Sequence, residues 1–198
     1  MEIHKFEKAQ FKSSIINTQS AMNFSKNEVH EIVFFGRSNV GKSSLINFLT
    51  NNNNLARVSK TPGRTRAINF FEASLKKIPI ALIDLPGYGY ANLPHSDKYN
   101  LSLLLRNYLV DNKKFKFLIH LLDCRRDLSN EDIELSGKIR LMSHNYIIVM
   151  TKIDKISISK RENLKKKFVK MLDLQQNQCF QISIKEKIGK NNLLDALQ

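Results

Sequence analysis

Glu31-Ile-Val-Phe-Phe-Gly-Arg-Ser-Asn-Val-Gly-Lys-Ser-Ser-Leu-Ile-Asn-Phe-Leu49 decides how this chain folds. It opens as an apolar run from Glu31 to Phe35, passes through a glycine-bounded loop, and continues from Ser44 to Leu49 as a helix-forming stretch. Gly36, Gly41, Lys42 and Ser43 satisfy the spacing G-x-x-x-x-G-K-[ST] of a phosphate-binding loop. The order strand, loop, helix is what that chemistry requires. Glycine lets backbone N–H groups of Arg37, Ser38, Asn39 and Val40 turn inward around an anion, and the helix opening at Ser44 points its positive end at the same place. Lys42 is placed to reach the β- and γ-phosphates, and the Ser43 hydroxyl to ligate Mg²⁺.

A phosphate loop says nucleotide without saying which base. Thr151-Lys-Ile-Asp154 follows another apolar run, Tyr146-Ile-Ile-Val-Met150, in the position expected of a base-reading segment. The Asp154 carboxylate can accept from guanine N1–H and the exocyclic N2–H₂ together. Adenine offers no matching donors, so the carboxylate would be left unpaired, a mismatch that costs roughly 10⁴-fold or more. The Lys152 stem would pack along the purine face. The expected base is guanine.

Two segments lie between these. Asp84-Leu85-Pro86-Gly87 ends the run Ile78-Pro-Ile-Ala-Leu-Ile83. An acid at a strand's carboxyl end is placed to hold a Mg²⁺-bound water, and Gly87 can offer its N–H to the γ-phosphate unobstructed. Upstream, Thr61-Pro-Gly-Arg-Thr-Arg66 is a polar loop in which Thr65 is the candidate for a second Mg²⁺ ligand beside Ser43. Lys42, Thr65 and Gly87 are thus the candidates for contact with the reacting phosphate. Both segments read as loops that order around Mg²⁺ and γ-phosphate and relax after hydrolysis.

Taken together, Gly36–Ser43, Gly63-Arg-Thr65, Asp84–Gly87, Thr151–Asp154 and Gln181-Ile-Ser-Ile184 fall in the order of the five G motifs of translation-factor-related GTPases. With the stretch Asp84-Leu-Pro-Gly-Tyr-Gly-Tyr-Ala91, the chain from about residue 28 to its end closely resembles the bacterial EngB family. The resemblance implies GTP hydrolysis, assembly of the large ribosomal subunit on its rRNA, and a requirement for normal division septation. It extends the nucleotide-contact set to Gly63, Arg64, Thr65, Arg66 and Ala67, and to Lys152, Ile153, Ile182, Ser183 and Ile184. One departure stands in the fifth motif. That motif usually carries a small residue whose N–H meets the guanine oxygen, and here Ser183 is followed by Ile184. A backbone donor survives any side chain, so the contact is expected to persist.

The residue after Gly87 is Tyr88, where many small GTPases carry a water-orienting glutamine. Intrinsic hydrolysis should therefore be slow, at or below ~10⁻⁴ to 10⁻³ s⁻¹, and an activating partner could add up to roughly 10⁵-fold. Asn39 resembles the asparagine of K⁺-stimulated GTPases; the alternative is an asparagine that only shapes the loop. Arg64 and Arg66 could supply charge to the reaction or face RNA. Two functional readings follow: an assembly factor whose turnover is triggered on the large ribosomal subunit, or a GTP/GDP-dependent switch acting directly on division proteins.

At 198 residues, the length fits one domain with a substantial core. Cys124 and Cys179 are far apart and have no metal-ligand spacing, which suits two reduced thiols in a cytoplasmic protein. No apolar run reaches the ~18 residues of a membrane span, and a monomer is expected. The net charge of +14 favours a polyanionic partner. The excess gathers at Lys113, Lys114 and Lys116, at Arg125-Arg126, and at Lys160, Arg161, Lys165, Lys166, Lys167 and Lys170. Ribosomal RNA held through its phosphates fits this, against the alternative of lysines that merely solvate a helix face. No aromatic stacking signature points to base readout.

Apolar runs at 31–36, 68–74, 78–84, 116–123, 146–151 and 179–183 read as six strands, near-continuous as buried parallel strands are. The runs at 68–74 and 78–84 are too close for a crossover and must be antiparallel. Helices fill other intervals: 99–110, one opened by the cap Ser129-Asn-Glu-Asp132, 161–174, and a last one presenting Leu193, Leu194 and Leu197. The expected fold is therefore α/β, a three-layer phosphate-loop G domain with a six-stranded, mostly parallel sheet, one antiparallel edge strand and helices on both faces. Residues 28–198 form the domain. Residues 1–27 read as an extension packing on it through Phe6, Phe11, Ile15 and Ile16.

Overall fold

The computed structural model describes residues 6–16, 20, 29–58, 67–89, 103, 108, 115–142 and 145–198. The loop carrying Gly63, Arg64, Thr65 and Arg66, the segment from Tyr90 onward, most of the helix expected at 99–110, and Lys113 and Lys114 lie outside these residues.

Seven strands form one sheet: β1 Glu7–Ile15, β2 His30–Gly36, β3 Ile68–Leu75, β4 Ile78–Asp84, β5 Phe115–Asp123, β6 Tyr146–Thr151 and β7 Cys179–Ile182. Their spatial order is β1-β3-β4-β2-β5-β6-β7. The pairs β2/β4, β2/β5, β5/β6 and β6/β7 are parallel, while β3/β4 and β1/β3 are antiparallel. The described helices are α1 Lys42–Thr50, α2 Asn130–Met142, α3 Ile158–Met171 and α4 Lys190–Ala196.

The six strands read from apolar runs are β2 to β7. The seventh, β1, displaces β3 from the edge, so the antiparallel strand β3 lies inside the sheet and that side ends in two antiparallel pairings rather than one. β1 eluded the sequence because it is mostly exposed and polar, with register irregularities between Glu7 and Gln10 and between Phe11 and Ser13. Lysines and bulges are common on strands that must not recruit another edge. Of the four residues expected to pack this segment down, Phe6 is buried and Ile15 lies against the core, whereas Phe11 and Ile16 are 53% and 73% exposed. Phe11 meets Phe71 edge-on at 5.8 Å.

Side-chain alternation along β2 builds the three layers. Ile32 and Phe34 point to one face, joining Leu45, Ile46 and Leu49 of α1 and Leu193, Leu194 and Leu197 near the chain's end. Val33 and Phe35 point to the other, joining Ile139 of α2 and Phe168 and Val169 of α3. Because both faces are covered, β2 and β6 are buried almost throughout. Burying each such aliphatic or aromatic side chain contributes about 1.5–3 kcal/mol, so these central strands are the rigid base of the site.

The β3–β4 turn consists of Lys76 and Lys77 alone, at φ 49° and 66°. Two left-handed residues match the twist of the strands they join, which closes the hairpin in register Leu75↔Ile78. After α1, the buried Asn47 amide donates to the carbonyls of Asn53 and Ala56 at 2.9 Å each and accepts from Ala56 N–H at 2.7 Å. That side chain folds the asparagine-rich loop back onto its helix.

Candidate functional site

The carboxyl ends of β2, β4, β5 and β6 converge on one rim, where open parallel sheets bind ligands. Gly36 closes β2 at a point where a Cβ would stand 2.7 Å from the Leu121 carbonyl oxygen, so only glycine lets the loop leave the sheet there. The loop turns through Asn39 at φ 61° and Gly41 at φ 108°, and α1 begins at Lys42 with Leu45 N–H bonded to the Gly41 carbonyl at 2.8 Å. The N–H groups ahead of Leu45, those of Lys42, Ser43 and Ser44, are thus outside the helix ladder and available to an anion in the loop.

Asp84 ends β4 directly beneath it. Ser43 Oγ donates to Asp84 Oδ2 at 3.0 Å, and Lys42 Nζ lies 3.8 Å from Oδ1. Asp84 is buried, and its Oδ1 has no hydrogen-bond partner. Burial pushes its carboxyl above the ordinary range, with Lys42 and then Ser43 pulling the other way. A buried carboxylate with an ammonium near one oxygen and a hydroxyl on the other is a donor set that suits a hydrated cation. Among the described residues no group of three His, Cys, Asp or Glu could hold a metal. Mg²⁺ does not need one, because it keeps waters and takes phosphate oxygens.

Leu85, Pro86 and Gly87 follow in buried positions, with Leu85 N–H bonded to the Phe34 carbonyl at 3.0 Å. Tyr88 then bridges back to the phosphate loop: its N–H donates to the Gly36 carbonyl at 3.2 Å, and its carbonyl accepts from Ser38 N–H at 3.0 Å. Both ends of the segment 84–88 are therefore tied to the loop that would cradle phosphates. Ala67 lies at the threshold of β3, next to the undescribed segment 61–66.

On the other side of the rim, Thr151 closes β6 with its hydroxyl donating to the Val40 carbonyl at 2.9 Å. Lys152 adopts φ 61°, and its ammonium donates to the Asn39 carbonyl and to Asp123 Oδ2, both at 2.8 Å. Its stem is thereby drawn across the loop. Ile153 is buried, and Asp154 Oδ1 accepts from Ser183 Oγ at 2.8 Å. Against the desolvation that would raise it, that bond and Lys155 hold the Asp154 carboxyl below its usual value. Ser183 is itself fixed by a two-way backbone bridge to Ile188 at 3.2 and 2.9 Å and by Glu186 N–H on its hydroxyl at 3.0 Å. Ile182 is buried and Ile184 packs against the same core, so the departure in the fifth motif is absorbed by apolar packing.

The structure adds residues that the sequence did not single out. Asp123, at the end of β5, anchors Lys152; against the burial that would raise it, hydrogen bonds from Arg125 and Lys152 hold its carboxyl well below the ordinary range. Its signal was an acid ending an apolar run, as at Asp84. Tyr88, read only as a missing glutamine, turns inward: its hydroxyl lies 2.5 Å from His120 Nε2 and donates to Asp132 Oδ1 at 2.6 Å. No local pattern marks His120, one of five scattered histidines. Asn39 presents an exposed side chain, and its backbone oxygen serves Lys152. Cys124 and Cys179 are free and buried. No helix among the described residues is long and apolar enough to cross a membrane.

The family model described as 50S ribosome-binding GTPase matches residues 31–152. The chain is 45% identical over 152 residues to the probable GTP-binding protein EngB of Clostridium kluyveri, covering 76% of each. It is 37% identical over 186 residues to that of Mycoplasma capricolum, covering 94% of this chain and 93% of the relative. Among solved structures, a probable GTP-binding protein engB superposes with TM-score 0.65 at 26% identity, covering 84% of this chain and 98% of that one. Era bound to MgGDPNP and a 16S ribosomal RNA fragment superposes with TM-score 0.72 over 85% of this chain and 55% of that one; at 21% identity it speaks for the fold alone.

Proposed function

This chain belongs to the EngB family of GTP-binding proteins and hydrolyses GTP to GDP and phosphate, and on that premise we propose that its cycle serves assembly of the large ribosomal subunit. The observation that carries the reading is α3. Its sequence, Ile-Ser-Lys-Arg-Glu-Asn-Leu-Lys-Lys-Lys-Phe-Val-Lys-Met171, sets six basic residues against one acid. Phe168 and Val169 are buried, whereas Lys160, Lys166, Lys167 and Lys170 face solvent. Lys167 pairs with Asp127 and Arg161 with Glu186, so the remaining lysines present a cationic face of the kind that meets RNA phosphates. The matched family's description as ribosome-binding agrees with that partner.

In this reading GTP sits with its phosphates in Gly36–Ser44 and its guanine between Lys152 and Ile182–Ile184, read by Asp154. Mg²⁺ would be held by Ser43 and Thr65 with Asp84 behind it, and when bound it neutralises charge building on the β- and γ-phosphate oxygens. The unpartnered Asp84 Oδ1 supports that assignment. Lys42 and the Gly87 N–H would contact the γ-phosphate, and Asn39 is the residue to which K⁺ would be referred. The intrinsic rate is slow, because Tyr88 has its hydroxyl committed to the core rather than to a water. The protein acts as a cytoplasmic monomer, with residues 1–27 an extension of the 28–198 G domain, and is needed for normal division septation.

Binding to purified large-subunit particles, with GDP or a non-hydrolysable GTP analogue and across a salt series, tests the proposal. Tight binding only with the analogue, weakened when Lys160, Lys166 and Lys170 become glutamate, is expected. Equal, purely salt-dependent binding with both nucleotides would leave a direct division switch as the better reading.

A further inference from the structure

Tyr88 stands at the head of a buried chain of hydrogen bonds crossing three elements. Tyr146 of β6 contacts His120 Nδ1 at 2.7 Å and Ser136 Oγ at 3.0 Å. His120 Nε2 reaches the Tyr88 hydroxyl, which donates to Asp132 Oδ1. Asp132 Oδ2 also accepts from Ser129 N–H at 2.9 Å and Ser129 Oγ at 2.7 Å, and Arg37 of the phosphate loop donates to Ser129 Oγ at 3.1 Å. His120, Ser136 and Tyr146 are fully buried and Asp132 is 3% exposed, so each donor needs its acceptor inside the protein.

Asp132 as a carboxylate must accept, so the Tyr88 proton goes to it. His120 then lies with Nε2 against the Tyr88 oxygen and Nδ1 against the Tyr146 hydroxyl, and Tyr146 donates to Ser136 Oγ. Burial, opposed by Asp132, pushes the His120 imidazole down to about 4. Phe35 stacks on the imidazole with centroids 4.6 Å apart and fixes its plane.

The same residue is pinned through its backbone to Gly36 and Ser38. The next residue, Gly89, at φ 74°, lies so close to the Arg37 guanidinium that a Cβ would come within 2.8 Å of its Cζ. Gly87 is thus held between Asp84, bonded to Ser43, and a Tyr88 fastened at backbone and side chain. We infer that Tyr88 is a positioning residue for GTP: its hydroxyl, seated between His120 and Asp132, fixes Gly87 alongside the phosphate loop and so sets the affinity for GTP relative to GDP. The inference rests on the reading that Gly87 meets the γ-phosphate. GDP lacks that group, and its affinity is independent of the anchor.

The test is titration of the full-length protein with fluorescent GDP and a fluorescent non-hydrolysable GTP analogue, with single-turnover hydrolysis and thermal unfolding of the GDP-bound form alongside. Tyr88→Phe should leave GDP affinity within about twofold, weaken the analogue roughly tenfold, as expected for loss of a hydrogen bond to a charged acceptor, and slow hydrolysis. Asp132→Asn should lower the same GTP/GDP ratio and add nothing to it in the double variant, because both act through one contact. It also carries the test if Tyr88→Phe does not fold. Gly87→Ala separates the two ideas. A ratio changed by Gly87→Ala but not by Tyr88→Phe or Asp132→Asn overturns the anchor alone. A ratio changed by none of the three overturns the γ-phosphate reading and the anchor with it. An increase in the ratio in Tyr88→Phe also overturns the anchor.

Discussion

Ser183 Oγ donates to Asp154 Oδ1 at 2.8 Å, joining the segment after β7 to the segment after β6 across 29 residues of sequence. The bond occupies one carboxylate oxygen while the other pairs with Lys155 Nζ at 3.4 Å, and a guanine edge would draw on the acceptor capacity that both oxygens retain. Asp154→Asn replaces one acceptor by a donor, so GTP should weaken at least ~100-fold and xanthosine triphosphate should become the preferred nucleotide. Ser183→Ala should weaken GTP and GDP alike by roughly tenfold, the value of one hydrogen bond to a charged group. Nucleotide titration checks both, and undiminished GTP affinity in Asp154→Asn would remove it as the base reader.

Asp84 gives a prediction with a definite sign. Its carboxyl is raised in the fold by burial, so protonation favours the folded, metal-free state, and that contribution is lost as pH rises through the raised pKa. At neutral pH, metal-free Asp84→Asn should therefore be at least as stable as the wild type. Saturation of the wild type with Mg²⁺ and GDP to 100-fold over its Kd should add about 2.7 kcal/mol by mass action. Most of the Mg²⁺-dependent part should vanish in Asp84→Asn. Thermal unfolding with GDP, with and without Mg²⁺, is the measurement, and an unchanged Mg²⁺ increment would argue against the site.

His120 gives an acid sensitivity. Burial holds its imidazole neutral down to about 4, against the opposing pull of Asp132, while the unfolded chain takes up the proton near its ordinary value of about 6.5. The folded pKa is depressed, so the stability is whole above about 6.5 and drains as pH falls toward 4, at up to about 1.4 kcal/mol per pH unit. The lowered carboxyls of Asp132 and Asp123 act in the same direction but only in the more acid carboxylate range. Urea unfolding at pH 7, 6 and 5 should show the slope in the wild type and a flatter profile in His120→Gln, which does not titrate. Parallel profiles would mean the imidazole is not held neutral.

The β3–β4 turn offers a gain in stability. Lys76 and Lys77 both occupy the left-handed region, where a side chain is disfavoured. Lys76→Asn with Lys77→Gly, the pair that favours this two-residue turn, should raise stability by about 1–2 kcal/mol in urea unfolding and leave nucleotide affinity unchanged. A loss of stability would show that the lysines make compensating contacts there.

The phosphate loop, the order of the nucleotide motifs, the six strands β2 to β7 and the hairpin between β3 and β4 were all legible along the chain. Buried parallel strands are written as unbroken apolar runs, and loop chemistry as glycines and polar residues at fixed spacing, so both are local and legible. The cap Ser129-Asn-Glu-Asp132 was legible for the same reason, and Asp132 N–H does bond to Ser129 Oγ at 3.2 Å. Three-dimensional packing was needed to reveal that the same Asp132 receives Tyr88 from 44 residues away. It alone decided that His120 lies neutral between two tyrosines, that Asp123 steers Lys152, and that a polar N-terminal segment becomes the edge strand β1. None of these carries a periodic signal, because each depends on which side chains the sheet order brings together. A hydrogen bond across the fold leaves no trace in the spacing of its partners along the chain.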